Sequence, residues 1–139
     1  MSILNKKYLL RLSEEYKIES GNMFGNAFSA YCLIQNKKSR IYLILCNDYT
    51  TSFDIGYILN RVSSLDKAYK NGSSYLCVMP LDNPTTELCT YCNGKSFVHF
   101  IFFDKHTNSL VYDKKIYYSG SKHIKQLIEI YQECFDNLT

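Results

Sequence analysis

Tryptophan is absent from this chain of 139 residues, and proline and glycine are scarce, at two and six residues. That scarcity excludes collagen-like and Pro/Gly-rich disordered architectures. No apolar run approaches the roughly 18 residues that a membrane span needs. The opening segment, Met1-Ser2-Ile3-Leu4-Asn5-Lys6-Lys7, lacks the apolar core of a signal peptide. The cytoplasm is therefore the expected compartment, with no membrane partner. Internal repeats, low-complexity tracts and linkers are also missing, so residues 1–139 read as a single globular domain. A strong charge of either sign is lacking too. Sixteen basic residues stand against 13 acidic ones, a net charge of +3, and this is too little to suggest a nucleic-acid partner. The basic residues fall in scattered groups, Lys6-Lys7, Lys37-Lys38 with Arg40, and Lys114-Lys115, as solvated loops and strand ends do.

Apolar residues make up 46% of the chain, enough to build a core without disulfide or metal staples. The aromatic content is 13 tyrosines and eight phenylalanines. Tyrosine has an apolar body and a polar tip, which suits core margins and protein interfaces alike. Six cysteines without a secretory signal read as free thiols or ligands rather than as a disulfide framework. The wealth of Asn, Lys, Ile, Tyr and Ser is what an AT-rich coding sequence yields.

Periodicity gives a coarse map of elements. Leu4, Tyr8, Leu12 and Tyr16 recur four residues apart and predict a first helix over residues 3–18. Gly21 to Asn26 reads as a turn segment. Residues 27–35 and 40–46 predict a β-hairpin, and its second arm, Ile41 to Cys46, is apolar on both faces. Residues 53–70 predict a second helix with the stripe Ile55, Ile58, Val62, Leu65 and Tyr69. Thr51 and Asp54 resemble a capping box at its start, and Asn71-Gly72 supplies a stop. Tyr75–Met79 reads as a short buried strand ended by Pro80, and residues 81–95 as a long loop. Phe97–Phe103 and Ser109–Tyr118 predict a second hairpin around Lys105–Asn108. Residues 122–137 predict a last helix, with Ile124, Leu127, Ile128, Tyr131, Cys134, Phe135 and Leu138 on one apolar face.

The expected fold class is α+β. It is a five-stranded, mainly antiparallel sheet with helices on both faces, in the element order α-β-β-α-β-β-β-α. Two helices lie on one face and helix 53–70 lies alone on the other. This order is similar to that of profilin-like and Roadblock-type domains, in the succession of elements only. Cys32, Cys46 and Cys77 alternate with large apolar residues on predicted strands and should be buried, reduced thiols. A lone helix about 10 Å wide is narrower than five strands at about 4.8 Å spacing. One face needs Phe97, His99, Ile101 and Phe103 covered and the other Val98, Phe100 and Phe102, so an apolar strip is expected to stay bare on the side of helix 53–70 or along the adjoining strand edge, as a docking face for a second copy or a partner.

Three motifs invite chemistry. Cys89-Thr90-Tyr91-Cys92-Asn93-Gly94 has the shape of a zinc knuckle, in which a tight turn presents two thiolates. Cys89 and Cys92 are thus the candidate metal ligands, and zinc the one candidate cofactor. Cys77, His99, His106 or a twofold mate would have to complete the set. Asp113-Lys114-Lys115 on a predicted strand matches the acidic-x-Lys core of restriction-nuclease-like sites, with Asp104 as a second carboxylate. If Lys105–Asn108 is the turn, however, Asp104 pairs near Ser109 and Asp113 near Phe100. That separates the carboxylates by about 13 Å, too far to share one metal. The glycines of 21–25 lie between a helix and a strand, whereas a phosphate cradle needs them between a strand and a helix. No nucleophile stands at a recognisable spacing from His99, His106 or His123. No catalytic residue is assigned.

The residues therefore point to a non-enzymatic protein-binding module of inhibitor, immunity or adaptor type, acting through a Tyr/Phe-rich apolar surface and able to form a homodimer. The alternative is a metal-dependent nuclease-like enzyme using Asp104, Asp113 and Lys115. A zinc-stabilised regulatory domain is the third reading.

Overall fold

The series Leu4, Tyr8 and Leu12 does wind into a helix, α1 (Ile3–Leu12), and all three side chains are buried. A computed structural model describes residues 3–21, 28–36, 39–46, 51, 53–69, 74–85, 87–88, 98–112 and 122–138. The helix ends six residues earlier than predicted. The Ser13 hydroxyl donates back to the Leu10 carbonyl at 2.6 Å, and the chain tightens into a turn. The Tyr16 N–H still donates to the Leu12 carbonyl at 2.8 Å. The helical pitch thus persists one turn beyond the helix, and Tyr16 is buried on the same face.

The chain then forms a strand that its sequence barely signals, β1 (Lys17–Gly21). Its only large apolar residue is Ile18, set opposite Leu33 of β2 (Phe28–Asn36). Strands β2 and β3 (Ser39–Cys46) form the predicted hairpin. Helix α2 (Phe53–Tyr69) follows. At its start Asp54 Oδ2 accepts the Thr51 N–H at 2.7 Å, the carboxylate arm of the expected capping box. Strand β4 (Ser74–Leu81) runs through Pro80, which keeps its place opposite Phe103. Strands β5 (Val98–Asp104) and β6 (Ser109–Val111) form the second hairpin. The predicted continuation to Tyr118 lies outside the described residues. The last helix is α3 (Lys122–Asp136).

The six strands form one sheet in sequential order, β1 to β6. The sheet is mixed, which corrects the five-stranded, mainly antiparallel expectation. Strands β3, β4 and β5 are mutually parallel, while β1, β2 and β6 pair antiparallel. Apolar residues on both parities of the central strands require cover on both faces, and the strand direction follows from the connections, since parallel neighbours require crossovers. Helix α2 is the crossover from β3 to β4. The stretch between Leu81 and Val98, read as a loop, carries the chain from β4 to β5. The element order, α-β-β-β-α-β-β-β-α, also departs from the one that suggested profilin-like and Roadblock-type domains.

Two helices on one face and one on the other is the observed layering. Helices α1 and α3 run antiparallel over Leu33, Ile41, Leu43, Leu45, Leu76, Val78 and Ile101. Tyr8 and Tyr131 meet edge to face at 4.7 Å between them. On the other face Ile55, Ile58 and Val62 of α2 pack on Ile44, Tyr75, Cys77, Met79, Phe100 and Phe102. The side chains of Leu65 and Tyr69 lie outside the described residues. Val98, Phe100 and Phe102 are fully buried, so the apolar strip expected beside α2 is not bare. Leu88, from the second crossover, packs against this cluster and widens the cover that one helix alone would give.

Candidate functional site

The parallel strands β3, β4 and β5 all end on one side of the sheet, at Cys46, Leu81 and Asp104. The order of the described strands runs on without reversal, so the switch-point crevice that receives ligands in doubly wound sheets is not formed among them, and the side chains at this end decide what it can do. Here that end gathers most of what the packing leaves exposed. Among the described residues five large apolar side chains face solvent, Ile3, Leu10, Phe53, Tyr57 and Leu138. Four of them lie at this end. Ile3 (68% exposed) begins α1, and Leu138 (38%), predicted on the apolar face of the last helix, lies two residues beyond the end of α3 and is exposed. Phe53 (89%) begins α2, and Tyr57 (47%) lies one turn on. The Tyr57 ring stacks on Phe28 at 5.6 Å, and Phe28 pairs with Cys46 at the tip of β3. Leu10, near the far end of α1, is the exception.

Between the start of α1 and the end of α3 this same end opens into a cavity of about 490 Å³. Val78, Pro80 and Phe103 line it from the sheet, with Leu4, Tyr131 and Phe135 from the helices. Its polar lining is sparse: Asn5, Asn108 and Asp136. Asn5 is buried, and its Oδ1 accepts the Tyr131 hydroxyl at 3.2 Å. Tyr8 donates its own hydroxyl to the Leu127 carbonyl at 2.8 Å. Burial is the first cause that pushes the Tyr8 phenol well above its ordinary pKa, and burial likewise raises Tyr131. Both rings therefore stay protonated donors, positioned by packing.

Asp104 closes β5 and is buried. Burial alone would raise its pKa. The His106 N–H, the Thr107 hydroxyl and N–H, and the Asn83 N–H more than offset that and hold it below the usual carboxylate range. Its Oδ1 accepts the His106 N–H at 2.9 Å. It thus fastens the β5–β6 turn, where Asn108 takes up left-handed backbone at φ 53°. Because the folded carboxyl is the stronger acid, its stabilising effect is present above about pH 4 and fades as pH falls through the lowered value. Denaturant titrations of wild type and Asp104→Asn should show an advantage for wild type at pH 7 that shrinks on acidification. An offset that stays constant down to pH 2 would contradict this account of the turn.

The predicted chemistry is only partly brought together. Asp104 pairs with Ser109 in the register expected from sequence, but its carboxylate is engaged by the turn. Asp113 and Lys115 lie outside the described residues, as do Cys89 and Cys92. Two of the partners suggested for a zinc site, Cys77 and His99, lie on opposite faces of the sheet. Cys77 lies on the α2 face, with its Sγ 3.6 Å from that of Cys46. His99 pairs with Leu76, whose side chain lies on the α1/α3 face. Among the described residues no three His, Cys, Asp or Glu side chains form a metal cluster. Cys46 and Cys77 are buried as expected, whereas Cys32 is only half-buried because it lies on β2 near the β1 edge. Among the described residues no helix is long and apolar enough to cross a membrane.

The cavity was not foreseen. Its walls come from α1, β4, β5 and α3, and a periodic pattern shows which residues turn inward without showing where two helices part. Neither a protein-family model nor a curated protein matches this sequence.

Proposed function

We propose that the chain is a non-enzymatic protein-binding module whose interface is the carboxyl end of its parallel strands. The observation that supports this reading is Phe53, a large aromatic left 89% exposed and followed one turn later by the half-stacked Tyr57. Exposed aromatics grouped at one end of a domain cost solubility and contribute nothing to its core. Aromatic side chains of this kind are the usual anchors of protein interfaces. Tyr57, stacked on Phe28, offers a flat shelf one turn from the exposed ring of Phe53. On this reading the Tyr/Phe-rich surface is the one formed at the start of α2 and the start of β2, rather than a strip on the sheet.

Phe53→Asp is expected to leave the melting temperature within a degree or two, because surface changes away from packed features shift stability by about 0.5 kcal/mol or less. The same change should weaken binding by about 30-fold or more, the effect of losing an aromatic hot spot of about 2 kcal/mol. Quantitative affinity purification from the source cells, followed by titration of the recovered partner, measures this. Leu10→Asp, on exposed surface away from this end, should change neither quantity. Equal capture by wild type and Phe53→Asp would refute the reading.

A further inference from the structure

We infer that the cavity between α1 and α3 is a small-molecule site, and that its ligand is a neutral amphiphile, an aliphatic or aromatic body ending in one hydroxyl or amide group. This goes beyond the protein-binding reading and stands without it, since Phe53 and Tyr57 lie on the α2 side of the sheet and the cavity on the other. A volume of about 490 Å³ falls within the range of about 300–1,000 Å³ typical of ligand pockets.

The lining sets the chemistry of the ligand. Val78, Pro80, Phe103 and Phe135 offer no hydrogen bond through their side chains and select an apolar body. Asn108 brings a carboxamide, with a donor and an acceptor, to a wall that is otherwise apolar apart from Asn5, whose Oδ1 accepts the Tyr131 hydroxyl, and Asp136, whose Oδ1 accepts from Gln132 Nε2. A hydroxyl or amide head matches that pair of functions. No lysine or arginine is among the described lining residues, and Asp136 adds a carboxylate. The antiparallel pairing of α1 and α3 sets the positive end of one helix dipole beside the negative end of the other, so the backbone adds little net field. An anionic head would therefore lose its hydration without finding a cation, and would meet a like charge.

A matched chain-length series tests this: 1-octanol, octanamide and octanoate, titrated into the full-length protein at pH 7 and followed by amide NMR shifts. Octanol and octanamide should bind saturably and shift the signals of Val78, Phe103, Tyr131 and Phe135, leaving those of Ile55 and Val62 in place. Octanoate should bind at least about tenfold more weakly, and Asp136→Asn should narrow that gap by strengthening octanoate binding. Asp136 is exposed, so this variant leaves the core intact. Three results would overturn the inference: no saturable binding of either neutral compound, octanoate binding as well as octanol, or shifts that map to the α2 face.

Discussion

Leu127→Ala is expected to lower the free energy of unfolding by about 2–5 kcal/mol, the range for large-to-small changes at fully buried positions. Leu127 is fully buried in the α1/α3 cluster, among residues from both helices and the sheet. Its backbone carbonyl accepts the Tyr8 hydroxyl, and that bond survives truncation of the side chain. The loss therefore reports the cavity left between α3 and the sheet, not a broken hydrogen bond. Urea unfolding followed by circular dichroism gives the number. Leu10→Ala is the control, since Leu10 is 71% exposed and should change stability by about 0.5 kcal/mol or less. A loss below about 1 kcal/mol for Leu127→Ala would mean that α3 does not pack as described.

Phe100→Ala is expected to cost about 3–5 kcal/mol in the same experiment. The reasoning differs, because the sequence predicts a bare strip beside helix 53–70 without saying whether Phe100 lies on it. A strand facing a bare strip would lose little on truncation, since its ring would already be wet. In the structure Phe100 is fully buried, stacked with Phe102 at 5.3 Å, and enclosed by the α2 cluster to which Leu88 contributes. A large loss supports a face covered within one chain. A loss near zero would restore the bare strip, and with it a docking face on the sheet itself.

The strong periodic elements were legible from sequence. Helix 122–137 was predicted within a residue of α3, because Ile124, Leu127, Ile128 and Tyr131 repeat at helical spacing and are buried together. Helix α2 was equally clear, through its stripe and the Thr51–Asp54 start. Strand β1 was not, because a five-residue edge strand with one inward residue, Ile18, carries almost no alternation. Nor was it legible that β3, β4 and β5 run parallel. Residues that are apolar on both parities say that a strand is covered twice, but its direction depends on the connection, and the segment after Leu81 was read as a loop. The candidate site was least legible of all. Phe53 lies just outside the apolar stripe of α2, and its exposure is a property of the packed fold. The cavity depends on how α1 and α3 seat over the ends of β4 and β5, which no spacing of residues encodes.

The proposed interface is tested most directly by site-specific photo-crosslinking in the source cells, with a benzophenone amino acid placed at Phe53 in one protein and at Leu10 in another. Both positions are exposed, so both variants should fold. A discrete protein adduct at Phe53 and none at Leu10 is the predicted result, and an adduct of twice the monomer mass would identify a second copy as the partner. Adducts at Leu10 alone, or none at either position, would contradict the assignment of the interface to the carboxyl end of the parallel strands.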